Sequence, residues 1–96
     1  MPPPPLSVVM PVRNAGATVD RAVHSVLAST FADFEFIIVD DGSIDTSAAV
    51  VEALGDPRIR LFRRPAEGIV AALNFGLAQC RGEHIARMDA DDFSYP

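Results

Sequence analysis

The sequence predicts an α/β fold, a Rossmann-like open parallel sheet with helices on both faces, built from about four strands and three helices. Two observations carry the prediction. From Leu6 onward, apolar runs short enough for strands alternate with longer stretches in which apolar residues recur at helical spacing, the signature of consecutive βα units. The composition, 49% hydrophobic and 22% charged over 96 residues, is that of a folded domain rather than a disordered or fibrous chain. This length suits one compact unit, residues 6–96, and is short for a complete enzyme, so the unit is expected to be truncated.

Residues 1–5 read as a proline-rich leader, because Pro2 to Pro5 favour extended backbone and withhold amide donors. Leu6 to Val12 is the first strand. Thr18 is placed to cap a helix whose Val19, Ala22, Val23, Val26 and Leu27 form one apolar face; Asp20, Arg21, His24 and Ser25 lie opposite, which puts His24 in solvent. Phe34 to Val39, apolar apart from Glu35, is the second strand and ends in the turn Asp40-Asp41-Gly42-Ser43, where glycine permits a backbone path other residues resist. Asp45 is placed to cap a helix running to Leu54, which Gly55-Asp56-Pro57 breaks. The alternation over Arg58 to Phe62 suggests a third strand near the sheet edge. A third helix runs from Ile69 to Gln79, with Ile69, Ala72, Leu73, Gly76, Leu77 and Cys80 as its buried stripe; after Arg81-Gly82, His84 to Met88 forms a fourth strand that delivers Asp89 to the carboxyl end of the sheet.

Charge narrows the partners. A net charge of -5 argues against nucleic acid, whose phosphates need clustered Lys and Arg. Asp89, Asp91 and Asp92 concentrate negative charge within four residues, and adjacent carboxylates repel one another unless a cation or hydrogen bonds compensate. The single Cys80 excludes an intrachain disulfide and reads as a small buried hydrophobe. No stretch approaches the roughly 20 apolar residues that span a bilayer, and Met1 to Leu6 lacks the regions of a signal peptide. The expected location is cytoplasmic, at the inner face of the membrane if a longer protein carries an anchor.

Every unusually polar segment follows a strand: Arg13-Asn14, Asp40 to Ser43, Arg63 to Glu67, and Asp89 to Asp92. In open parallel sheets the crevice at the strand carboxyl ends binds ligands where strand order reverses. With the order 3-2-1-4, Asn14 and Asp89 face one another across that crevice and Asp40 stands one strand away. The first turn, Arg13-Asn14-Ala15-Gly16-Ala17, matches neither a dinucleotide nor a P-loop fingerprint. Asp89-Ala90-Asp91-Asp92 instead offers hard oxygens suited to Mg²⁺ or Mn²⁺ shared with substrate phosphates.

Four motifs occur in order: Val8-Val9-Met10-Pro11-Val12-Arg13-Asn14, Ile37-Ile38-Val39-Asp40-Asp41-Gly42-Ser43-Ile44-Asp45, Ala71-Ala72-Leu73-Asn74-Phe75-Gly76 and Ala86-Arg87-Met88-Asp89-Ala90-Asp91-Asp92. In this order they resemble the N-terminal part of family 2 glycosyltransferases of the GT-A fold, from Leu6 onward. The resemblance implies transfer of a sugar from a nucleoside-diphosphate donor, a UDP-sugar, to a glycan, lipid-linked or other hydroxyl acceptor. It implies that Pro11 and Val12 line the base pocket, that Asn14 supports that loop and that Asp40 accepts a ring N–H. Asp41, Gly42, Ser43 and Ala90 belong to the same nucleotide-sugar site. Asp89 and Asp91 match the Asp-x-Asp motif, with Asp89 near ribose and sugar as well as the Mg²⁺ or Mn²⁺, and Asp91 on the ion. The family's general base comes after this motif, so no catalytic residue is expected among these 96 and the isolated chain is expected to be inactive.

Competing readings stay open. Asp40 to Ser43 also reads as an ordinary capping turn, and Asp89 to Asp92 as a solvated acidic loop. Asn74 reads as a loop brace, Arg63 and Arg64 as solvent-exposed, Arg87 as an ion-pair partner, and His84 has no role. A sugar nucleotidyltransferase lacks its Gly-rich basic first loop here; a non-catalytic nucleotide- or cation-binding module is the alternative of a different class. A truncated sheet leaves an exposed edge, so self-association of the chain is expected.

Overall fold

The computed structural model describes residues 5–13, 19–28, 33–42 and 47–88. Their elements run β1 (Leu6–Val12), α1 (Val19–Leu27), β2 (Phe34–Asp41), α2 (Ser47–Leu54), β3 (Ile59–Arg64), α3 (Ile69–Gln79) and β4 (His84–Arg87). The strands form one parallel sheet in the order β3-β2-β1-β4, the order on which the crevice argument depended. Thr18 and Asp45, the expected capping residues, lie outside the described residues.

Strand alternation sorts the core into two layers. On one face, Val8, Met10 and Val12 of β1 and Phe34, Phe36 and Ile38 of β2 pack with Val19, Ala22, Val23 and Val26 of α1 and Val51 of α2. On the other, Val9, Ile37 and Val39 meet Ala72 of α3, flanked by Phe62, Leu73, Phe75 and Cys80. Helices therefore cover both faces, as a parallel sheet requires. Phe36, Ile37, Ile38 and Met10 are fully buried, each contributing roughly 1.5–3 kcal/mol through removal of apolar surface from water. His24 is exposed and sits 3.0 Å from Asp20 on its own helix.

Boundaries shift where pairing outlasts apolarity. β2 and β3 continue two residues past their apolar runs because Asp40 registers with Arg63 and Asp41 with Arg64, so opposite charges sit side by side at the end of the ladder. The stripe of α3 is narrower than its spacing suggests. Ala72 and Gly76 are buried, whereas Ile69 is 54% exposed and Leu77 39%, because the helix meets the sheet along one line and β4, exposed throughout, adds no wall beside it. Gly76 permits this approach: a Cβ there would lie 2.7 Å from Val9 Cγ1.

Two carboxylates on one face of β2 hold the ends of α3. Glu35 and Asp41 share strand parity and stand six residues apart, about 20 Å at the rise of a strand; the eleven residues of α3 span about 16 Å. At the amino end of the sheet Glu35 accepts hydrogen bonds from Ser7 Oγ (2.6 Å), Arg81 N (2.6 Å), Arg81 Nε (3.0 Å) and Arg60 Nη1 (3.0 Å). Ser7 Oγ in turn accepts from Gly82 N, and Arg60 donates to the Gln79 carbonyl. Burial raises the Glu35 carboxyl, but these donors outweigh it and hold its pKa at about 2. Burial also pushes the nearby Cys80 thiol up, although the side chain is half-buried rather than fully buried as its place on the stripe suggested.

Candidate functional site

At the carboxyl end of the sheet, above β1 and β2, a cavity of about 230 Å³ is lined by Pro11, Val12, Arg13, Asp41 and Ile69. Its position follows from the topology. β1 has β2 on one side and β4 on the other, so the crossover changes direction beside β1 and leaves a gap at its end. α3 starts beside this gap, with Ile69 in the wall.

The order of residues along β2 decides which aspartate reaches the cavity. Asp41 shares a face with Ile37 and Val39, the α3 side, whereas Asp40 shares a face with Phe36 and Ile38 on the α1 side. Both are buried, and it is Asp41 that lines the cavity. Asp41 Oδ1 accepts a hydrogen bond from Glu67 N at 2.9 Å and Oδ2 from Gly68 N at 3.2 Å. Asp41 thus ties down the two residues that lead into α3, Glu67 and the N-cap Gly68, and fixes where the helix starts.

Two glycines make the loops fit. Gly42 has φ 68°, and a Cβ there would come within 2.6 Å of Ala66 N, so the β2–α2 turn touches the β3–α3 loop. Gly68, which precedes α3, has φ 102°. On the same rim Arg64 lies over the Phe75 ring at 4.2 Å and 3.9 Å from Glu67, while Arg63 pairs with Glu52. Neither arginine lines the cavity of about 230 Å³, and Arg64 lines a small adjoining pocket with Asp41 and Glu67.

On the other side of β1, Met88 N donates to the Val9 carbonyl at 2.9 Å, extending the parallel register of Arg87 with Val9. Met88 immediately precedes the acidic run. Asn14, Ser43, Asp89, Ala90, Asp91 and Asp92 lie outside the described residues. Among the described residues no group of three His, Cys, Asp or Glu side chains is arranged to hold a metal. The donor set of the acidic run, three carboxylates in four residues, fits a hard divalent cation in its chemistry.

The structure thus brings Pro11, Val12 and Asp41 to one cavity, sets Gly42 against Ala66 of the β3–α3 loop, and turns Asp40 to the other face of β2. Arg13 and Ile69 were absent from the sequence-based site. Parity along β2 is the signal that separates Asp41 from Asp40; no local pattern signals that the exposed first residue of α3 closes the wall. No helix among the described residues is long and apolar enough to cross a membrane.

Comparison with known proteins agrees with this architecture. The chain matches glycosyl transferase family 2 over residues 7–96. It is 37% identical over 93 residues to a glycosyltransferase of Haemophilus influenzae, covering 94% of this chain and 37% of that protein. Among solved structures, S. aureus TarS residues 1–349 in complex with UDP-GlcNAc superposes with a TM-score of 0.84 at 26% identity, covering 92% of this chain and 27% of TarS. The mannosyltransferase PcManGT of Pyrobaculum calidifontis, solved with GDP-Man and Mn²⁺, shares the fold with a TM-score of 0.84 at 24% identity, over 93% of this chain and 28% of its own. The chain accordingly spans about a third of the length of these proteins or less. A family match running from β1 past β4, on the same sheet that the solved neighbours carry, makes the chain a member of glycosyl transferase family 2 with a GT-A type of fold.

Proposed function

We propose that the chain is the nucleotide-sugar-binding part of a glycosyltransferase that moves a sugar from a UDP-sugar to an acceptor hydroxyl with the help of Mg²⁺ or Mn²⁺. The observation that carries this reading is the cavity at the end of β1, with apolar Pro11 and Val12 beside the buried carboxylate of Asp41. A nucleobase presents an apolar face and polar edge, which this wall complements. At about 230 Å³ the cavity is smaller than the roughly 300–1,000 Å³ of a whole-ligand site. It therefore suits a nucleobase, with the rest of the donor laid across the open carboxyl edge; the choice of a UDP-sugar rests on the resemblance of the motifs.

In this reading the ring N–H goes to Asp41 rather than Asp40. A carboxylate has about four lone-pair positions, and two backbone amides occupy two of them, so the group is held in place and retains acceptor capacity. Asp40 supports the end of β2 from the opposite face. Asn14 and Ser43 brace the two loops, Gly42 lets them touch, Asp89 and Ala90 meet ribose and sugar, and Asp91 with Asp89 holds the metal. A divalent ion bound there supplies Lewis acidity that stabilises charge on the departing nucleoside diphosphate. The general base is assigned to a carboxylate outside these 96 residues, so binding rather than transfer is the appropriate readout.

Calorimetric titration with UDP and GDP, with and without Mn²⁺, tests the reading. UDP is expected to bind more tightly than GDP, with a metal-dependent part that Asp91→Ala abolishes. Asp41→Asn is expected to weaken UDP at least about tenfold while circular dichroism reports a folded chain. A folded wild type that takes up neither nucleotide in either condition refutes it and favours a module without a donor site.

A further inference from the structure

Among the described residues β4 pairs with β1 alone, and all four of its residues are exposed. Two parities run along this edge. His84 N donates to the Pro5 carbonyl and Met88 N to the Val9 carbonyl, so the backbone groups of His84, Ala86 and Met88 face β1. Those of Ile85 and Arg87 face away from the sheet. Ala86 registers with Val8 on the α1 side of the sheet, and Arg87 with Val9 on the α3 side. Ile85 and Arg87 therefore direct their side chains to the α3 side, and Glu83 shares their parity. Ile85 is 51% exposed.

The helix above leaves the same flank uncovered. α3 lies over β1 and β2, and its Phe75 turns towards β3, where it meets Phe62. At 3.6 residues per turn, Val70 and Leu77 come out on the opposite side of α3, towards β4, and both are exposed. Exposed apolar groups on strand and helix thus border a row of backbone donors and acceptors that face outward, the combination that favours addition of a further strand.

We infer that this edge joins a second copy of the chain, by antiparallel pairing of β4 with its counterpart about a two-fold axis at Ile85. Symmetry and charge select this partner. A two-fold axis must pass beside a residue whose backbone groups face outward, which within the strand means Ile85 or Arg87. At Arg87 it would oppose two arginines. At Ile85 it sets Ile85 against its copy, with Cα atoms about 5.5 Å apart, and places Glu83 of each copy opposite Arg87 of the other on the α3 side, a favourable cross-strand pair. The remaining edge strand, β3, carries three arginines in six residues; like charge guards that edge, and the assembly closes at two copies. The inference uses no residue of the donor cavity and stands apart from the donor reading.

Sedimentation equilibrium of the chain over about 5–500 µM tests it, on wild type and on Ile85→Lys, Glu83→Arg and Arg87→Glu. Wild type is expected as monomer and dimer in equilibrium. Each variant should weaken the dimer about tenfold or more, with circular dichroism reporting a folded chain. An equimolar mixture of Glu83→Arg and Arg87→Glu should recover dimerisation to within about threefold of wild type, because their heterodimer restores opposite charges at both pairs. Damage to the fold of either variant would not be repaired by mixing. A wild type that stays monomeric throughout the range overturns the inference. So does a dimer that Ile85→Lys leaves unchanged, a mixture no better than its components, or assembly that grows beyond two copies.

Discussion

Replacing Glu35 with glutamine removes the charge that anchors the C-terminal end of α3, while keeping the side chain's size. The carboxylate is 4% exposed and accepts four hydrogen bonds. Its pKa falls from the usual 4.5 to about 2 in the folded chain. A depressed carboxylate stabilises the fold above its unfolded pKa and loses that contribution as pH falls through the folded value. The contribution is therefore complete at pH 7 and declines from about pH 4.5 to about pH 2. At 1.36 kcal/mol for each pH unit, it amounts to about 3 kcal/mol, a large part of the roughly 5–15 kcal/mol expected for a domain. Urea unfolding of wild type and Glu35→Gln at pH 7, 4 and 2 measures it. The variant should be less stable by about 3 kcal/mol at pH 7, and the gap should shrink to below about 1 kcal/mol at pH 2. Other carboxylates titrate equally in both chains and cancel in the difference. A gap within about 0.5 kcal/mol at pH 7, or one that stays constant down to pH 2, refutes the anchoring role.

Two further perturbations address the loops and α3. Gly76→Ala places a Cβ 2.7 Å from Val9 Cγ1 and 3.1 Å from Val39 Cγ2; overpacking of about 1–3 kcal/mol should exceed the helix-propensity gain of about 1 kcal/mol. Combining it with Val9→Ala should cost less in thermal unfolding than the two losses added; strict additivity would mean that the helix does not press on Val9. Gly42→Ala is strained at φ 68° and meets Ala66, so it should destabilise the chain by about 1–2 kcal/mol and weaken UDP binding. An unchanged denaturation midpoint and UDP affinity would mean that the contact between the two loops is unimportant.

The element list was legible because it depends on local periodicity. α3 matches its expected span, Ile69–Gln79, and β1 its span, Leu6–Val12. The carboxyl-edge position of the candidate cavity was legible for a related reason: the polar breaks follow the strands, and a parallel sheet brings those breaks to one edge. Glu35 was not legible. Within an apolar run it reads as an interruption, and its partners Ser7, Arg60 and Arg81 are distant in sequence and meet it only when β1, β3 and the end of α3 are assembled around β2.

The site divides in the same way. Sequence by itself determined the fold class, the order of the four motifs and the identity of the acidic run, because residue type and spacing carry those properties along the chain. Tertiary structure decided that Asp41 rather than Asp40 lines the cavity, that Arg13 and Ile69 complete its wall, and that Arg63 and Arg64 stay out of that wall. These outcomes depend on which face of β2 lies beneath α3 and on which loops touch across strands, and a helix that covers one face of a sheet distinguishes two adjacent aspartates that are chemically identical in sequence.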